Sequence, residues 1–257
     1  AEAAAADMAL AVAEAQKAER ELAQEAATIA RRELEKQMDA REAAEVTAAK
    51  ADEAATRLRE VTGVAHAGAV ELDLASYTSV IRGSVRVRET ATQMSAPLRG
   101  LLLNAGVWPA EKRITTDGLE EGMQVCHVGH WLLTQELLPD LCAPGEEARV
   151  VTVSSSAHAL APEVDLSDVN WERRTFDAVT AYGQSKLSNL LFCQELAQRL
   201  PLTADQRLTS LAVHPGVVTT GLFRELTPAG GPTPSLPAEA ETALSALADT
   251  PPLVSEP

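Results

Sequence analysis

At 257 residues the chain is long enough to build one α/β domain with a sizeable core. A formal net charge of −15 argues against nucleic acid or an anionic membrane surface as the main partner. No apolar run approaches the roughly 20 residues that span a bilayer, so the sequence reads as soluble or peripheral to a membrane complex.

Residues 1–62 contain no glycine, proline or aromatic residue and are dominated by Ala, Glu, Arg, Lys and Gln, the strongest helix formers. They predict a long helical arm, with a restart near the capping-box pattern Asp39-Ala-Arg-Glu42 and a C-terminal stop at Gly63. The apolar positions, among them Leu22, Ile29, Leu34 and Val46, form a sparse stripe. That stripe fits either a solvated helix or one that packs on a protein partner. Ala69–Ala75 reads as a strand, Ser76–Ala96 as a weakly amphipathic helix and Arg99–Leu103 as a buried parallel strand running into the turn Asn104-Ala105-Gly106. A long buried helix is expected over Gly118–Leu141, and a strand over the β-branched run at Val150 that ends in the hydroxyls Ser154, Ser155 and Ser156. Tyr182–Leu200 predicts a strongly patterned helix, and Leu211 opens another strand leading to Pro215-Gly-Val-Val-Thr-Thr220. The Pro- and Gly-rich stretch from Thr227 reads as a linker or surface-wrapping loop before a short helix near Ala238–Ala248 and a tail. Three regions result: an arm (1–62), a sheet domain (63–226) and a linker, helix and tail (227–257).

Tyr182 and Lys186 lie four residues apart and project from one helix face. A tyrosine hydroxyl can protonate a substrate carbonyl oxygen if a neighbouring ammonium lowers its pKa from about 10 and a serine hydroxyl holds the oxygen. Hydride must then come from a cofactor. The three cysteines, Cys126, Cys142 and Cys193, are an odd number without metal-ligand spacing and read as reduced core residues. Cys126, His127 and His130 cluster in sequence, but no metal site is expected.

The order Asn104-Ala-Gly106, Ser154-Ser155, Tyr182-x-x-x-Lys186 and Pro215-Gly-Val-Val-Thr-Thr220 resembles the short-chain dehydrogenase/reductase superfamily. Four further motifs resemble its retinol-dehydrogenase and WW-domain-oxidoreductase-like branch. They are Asp117-Gly-Leu-Glu120, Gly129-His-Trp-Leu-Leu-Thr134, Ser154-Ser-Ser-Ala-His158 and Gln184-Ser-Lys-Leu-Ser-Asn189. The resemblance implies a Rossmann-like α/β fold and catalytic-type roles for Ser155 as oxygen holder, Tyr182 as proton donor and Lys186 as its activator. It also implies cofactor contacts at Asp73, Asn104, Ala105, Gly106, Lys186, Pro215, Val218 and Thr220. Asp73 reads equally well as a cap for the helix that follows it. The loop 162–180, with Asp165, Asp168 and Trp171, lies near the substrate in similar proteins.

The sequence departs from the family pattern in two places. Cys126 stands where relatives carry the asparagine that completes the catalytic tetrad, and a thiol is a poor substitute for a carboxamide. The glycine-rich turn that seats a cofactor pyrophosphate cannot be placed, since no glycine precedes Gly63. The fold expected is therefore a reduced Rossmann-like parallel sheet of about four strands flanked by helices, with the helical arm at its N-terminal side. Alternatively, an exposed sheet edge is covered by the arm or by another polypeptide. The favoured function is a catalytically impaired member of the family, with no cofactor as the chain stands, that serves as a structural or assembly subunit through the arm and tail. A second reading is an active NADP(H)-dependent oxidoreductase of a lipophilic alcohol or carbonyl, which requires a glycine-rich segment upstream of Ala1. A third makes the arm a coiled-coil binder and the sheet domain its passive anchor. An opening on Ala1 rather than Met reads either as an incomplete sequence or as a processed intracellular protein, for instance one of a plastid or mitochondrion after loss of a transit peptide.

Overall fold

The computed structural model describes residues 49–64, 66–143, 147–199, 207–216 and 222. The chain divides into two compact units, Ala1–Ala69 and Val70–Pro257. In the first, residues 49–62 form helix α1. It ends as the sequence predicts: Gly63 takes the left-handed conformation (φ +69°), and its N–H reaches back to the Arg59 carbonyl at 2.9 Å. Arg59 in turn donates to the Ala67 carbonyl at 2.7 Å, folding the chain back past the cap. Residues 1–48, and with them most of the expected arm and its restart at Asp39, lie outside the described residues, as does the expected helix near Ala238–Ala248.

In the second unit three strands, β1 (Gly100–Leu103), β2 (Glu147–Val153) and β3 (Arg207–Val213), pair in parallel in the order β1-β2-β3. The register sets Leu102 opposite Val151 and Val151 opposite Leu211. Helices α2 (Tyr77–Gln93), α4 (Gly129–Leu141) and α5 (Ala178–Arg199) contribute to one apolar core with the sheet. Val80, Leu133, Leu137, Leu141 and Leu196 from the helices meet Leu103, Val150 and Leu208 from the strands. The opposite face of the sheet carries Leu102 (64% exposed), Leu211 and Val213, all exposed.

The expected strand at Ala69–Ala75 does not form, so the described sheet has three strands rather than four. Local side-chain bonds satisfy this backbone instead of a ladder. The Asp73 carboxylate accepts the Ala75 N–H at 2.9 Å, and the Asp73 N–H goes to the Ser79 hydroxyl at 3.0 Å. The alternating Leu72 and Leu74 still point inward. A Cβ at Gly83 of α2 would come 2.8 Å from Leu72 Cδ1, and one at Gly129 of α4 would come 2.6 Å from the Leu74 carbonyl oxygen. Those two glycines let the helices close on the segment.

Ser76, not Asp73, is the N-cap of α2, its hydroxyl accepting the Ser79 N–H at 3.3 Å. The long helix predicted over Gly118–Leu141 begins as the single turn α3 (Glu121–Met123), widens into a π-helical turn at Gln124–Val128 and continues as α4. Helix α5 starts four residues before Tyr182, because the Asp177 carboxylate caps the Thr180 N–H at 2.7 Å.

Candidate functional site

The strands deliver their C-terminal ends to one place, as parallel α/β sheets do. At the end of β2, the Ser154 N–H donates to the Val213 carbonyl of β3 at 2.8 Å, and the Ser154 hydroxyl donates to the Lys186 carbonyl of α5 at 2.8 Å. Ser155 then caps a short 3-10 turn, Ser156–Leu160, by accepting the Ala157 N–H at 3.2 Å. Helix α5 lies directly on this turn. A Cβ at Gly183 would sit 2.8 Å from the Ala157 carbonyl oxygen, so the residue after Tyr182 must lack one.

Ser155, Tyr182 and Lys186 are brought together as predicted. Tyr182 is only 5% exposed, with the Ser155 side chain near enough to favour its ionised form. Its ring is stacked on Trp108, with centroids 4.2 Å apart and planes within 8°. Burial pushes the Tyr182 hydroxyl well above the usual tyrosine range; the neighbouring Cys126 adds to the rise, and the Ser155 side chain works against it. The Lys186 ammonium, 3% exposed, donates to the Val153 carbonyl at 3.1 Å and lies 5.5 Å from the Tyr182 ring centroid. The same carbonyl also accepts from the Asn189 amide at 3.3 Å.

Cys126 is fully buried within the π-helical turn. Its sulfur accepts the Val107 N–H at 3.4 Å and donates to the Val107 carbonyl at 3.3 Å. Gly106 lies between the two elements: a Cβ there would be 3.5 Å from both Cys126 Sγ and Lys186 Nζ. His130 turns Nδ1 to the Cys126 carbonyl at 3.1 Å, and His127 pairs its Nδ1 with Asn189 Oδ1 at 3.2 Å. Burial, with repulsion from Lys186 and His127, lowers His130 to about 4; burial lowers His127 as well. Both rings are neutral near pH 7.

The residues expected to touch a cofactor are divided. Lys186 lies beside the Tyr182 ring and Gly106 beside Lys186, while Asn104 and Ala105 stand exposed on the turn after β1. Pro215 follows β3, next to His214, whose Nδ1 accepts the Ser156 N–H at 3.3 Å. Asp73 is engaged within its own turn before α2. Val218 and Thr220 lie outside the described residues.

In the loop 162–177, Trp171 is buried with a left-handed backbone (φ +55°), its carbonyl held by Lys112 at 2.8 Å and its ring covered by the Arg174 guanidinium at 3.8 Å. For Asp168, burial works to raise the carboxyl, but the Glu172 and Arg173 N–H groups and the nearby guanidinium groups outweigh it and hold it low. Sequence reasoning missed Trp108 and Asn189 as members of the site. Asn189 sits in a motif that was noted, whereas nothing local marks Trp108 as the partner of a residue 74 positions away.

A parallel sheet flanked by helices, with a serine, a tyrosine and a lysine gathered at the carboxyl ends of its strands, defines a Rossmann-like domain. No family-wide sequence profile matches the chain. Individual relatives do. Human retinol dehydrogenase 13 is 38% identical over 175 residues, covering 68% of this chain and 50% of the relative. Mouse polyprenol dehydrogenase is 39% identical over 178 residues (68% and 51%), and the human WW domain-containing oxidoreductase is 36% identical over 174 residues (65% and 40%). A short-chain dehydrogenase from Pseudomonas syringae shares the fold, with a TM-score of 0.51 at 23% identity over 72% of this chain and 69% of that one. The chain belongs to the short-chain dehydrogenase/reductase superfamily, in its retinol-dehydrogenase and WW-domain-oxidoreductase-like branch. It spans about half the length of the curated relatives it matches.

Proposed function

We propose that the chain, as it stands, is a short-chain dehydrogenase/reductase that keeps the residues for carbonyl reduction but is impaired in proton transfer, and that it serves as a structural or assembly subunit. The observation carrying this reading is the state of Tyr182. Its hydroxyl must donate a proton, yet burial under Trp108 favours the protonated form, and the Lys186 ammonium is bonded to the Val153 carbonyl. Cys126 spends both of its bonding capacities on Val107. The assembly role is supported by the acidic surface charge and the alanine-rich N-terminal sequence.

The second reading, an active oxidoreductase of a lipophilic alcohol or carbonyl, is supported by the co-location of Ser155, Tyr182 and Lys186 and by the partly buried Leu160, Val179 and Leu222 that pack on the cluster containing Tyr182. Gly106 and Lys186 would adjoin the nicotinamide ribose of NADP(H), which would supply the hydride. Calorimetry with NADPH and NADH, followed by NADPH oxidation in the presence of decanal, separates the two. Impaired proton transfer predicts no aldehyde-dependent oxidation even where calorimetry shows the cofactor bound. Turnover that Tyr182→Phe abolishes would establish the active reading instead.

A further inference from the structure

Trp108 is held from three sides. Its indole lies flat on Tyr182, and its Nε1–H donates to the carbonyl of Ala178, the first residue of α5, at 3.0 Å. Just before it, Val107 has both backbone groups taken by the single Cys126 thiol. The turn that carries the indole leaves strand β1 at the buried Leu103, passes through the exposed Asn104 and Ala105 and is held again from Gly106 onward. Trp108 and Tyr182 belong to one buried cluster with Cys126 and Ala157, against which the partly buried Leu160, Val179 and Leu222 pack. Thiol hydrogen bonds are weak, so the seat that Cys126 gives the Val107 backbone can be released without unfolding either helix.

We propose that Trp108 is a plug over Tyr182, and that Cys126 is the positioning residue that seats this plug through the Val107 backbone. The tyrosine is then shut off by a latch rather than by loss of its own chemistry. The inference rests on Tyr182 being the proton-donating residue of the proposed site. It is tested without cofactor or carbonyl compound, so its failure is separate from that of the functional reading.

The chain has two tyrosines, so in a Tyr77→Phe background a spectrophotometric titration of the full chain reads Tyr182 alone. Trp108→Ala is expected to give at least tenfold more tyrosinate at a given alkaline pH. Trp108→Phe, which keeps the stack but loses the indole donor, should shift the same way by less. Val179→Ala, at the rim of the same cluster, should leave the curve in place. Cys126→Ala should move the curve toward that of Trp108→Ala and speed exchange of the Trp108 indole N–H at least fivefold by NMR, leaving those of Trp131 and Trp171 alone. Cys126→Asn, whose carboxamide can both accept from and donate to Val107, should restore the parent behaviour. The plug is refuted if Trp108→Ala, with a native circular dichroism spectrum, titrates like its parent, or if Val179→Ala shifts the curve as far. Trp108→Phe decides the matter if the alanine variant does not fold. The part given to Cys126 is refuted if its alanine variant leaves indole exchange unchanged.

Discussion

Glu120 is almost fully buried, yet it stays because both carboxylate oxygens are used: one accepts the Gly122 N–H at 2.8 Å and the other the Met123 N–H at 2.7 Å. These are the orphan donors at the start of α3. Glu120→Ala should cost about 2 kcal/mol of unfolding free energy, since it removes a cap and leaves two buried donors unpaired. Glu120→Gln should cost a similar amount despite its shape, because one of the two N–H groups would face an amide NH2 rather than an oxygen. Urea unfolding checks both, and a glutamine variant as stable as the parent would show that one acceptor suffices. At this scale the sequence was readable wherever a residue acts on its own helix. Tyr182 and Lys186 meet because four residues make about one turn. The pairs that define the site across the fold, Trp108 with Tyr182 and Cys126 with Val107, carry no periodic signal, and only the packing of the β1 turn against α5 and the π-helical turn creates them.

The elements show the same division between local pattern and tertiary context. Runs such as Val150-Val-Thr-Val153 became strands because β-branched residues suit a pleated, buried surface. Ala69–Ala75 has strand-like alternation but spends its backbone bonds on Asp73 and Ser79, so the leucines pack on helices without a ladder. Close approach to those helices gives a paired test. At Gly129, alanine would gain about 1 kcal/mol of helix propensity, but its Cβ meets the Leu74 backbone oxygen at 2.6 Å, which cannot swing aside. Overpacking of about 1–3 kcal/mol should win, and Gly129→Ala should lower the melting temperature. At Gly83 the clash is with Leu72 Cδ1, the far end of a flexible side chain, so Gly83→Ala should be close to neutral. Equal losses at the two sites would mean that Leu72 is held as rigidly as the backbone.

For the molecule as a whole, acid stability sets a net charge of −15 against buried neutral histidines. Acidification from pH 7 reduces the net negative charge and relieves its repulsion, but among the described residues the carboxylates are mostly exposed, and such charges are screened beyond about 8 Å at physiological salt. His130 is buried, with its pKa lowered from 6.5 to about 4, so the unfolded chain binds its proton first. A group depressed in the folded state contributes its full stability above pH 6.5 and loses it progressively as pH falls toward 4. By pH 5 the loss from His130 alone is about 2 kcal/mol, and His127 shifts in the same direction. Glu120, raised by burial despite its two N–H bonds, works in the opposite sense, because the folded chain binds its proton more readily than the unfolded one. Two histidines lowered by burial against one raised carboxyl should leave the histidines ahead, and denaturant midpoints should fall between pH 6.5 and 5. His130→Gln, which keeps a polar partner for the Cys126 carbonyl but cannot titrate, should flatten the decline even if the variant is less stable at pH 7.5. A slope unchanged by that substitution, or a midpoint that rises toward pH 5, would show that the acidic surface outweighs the buried rings.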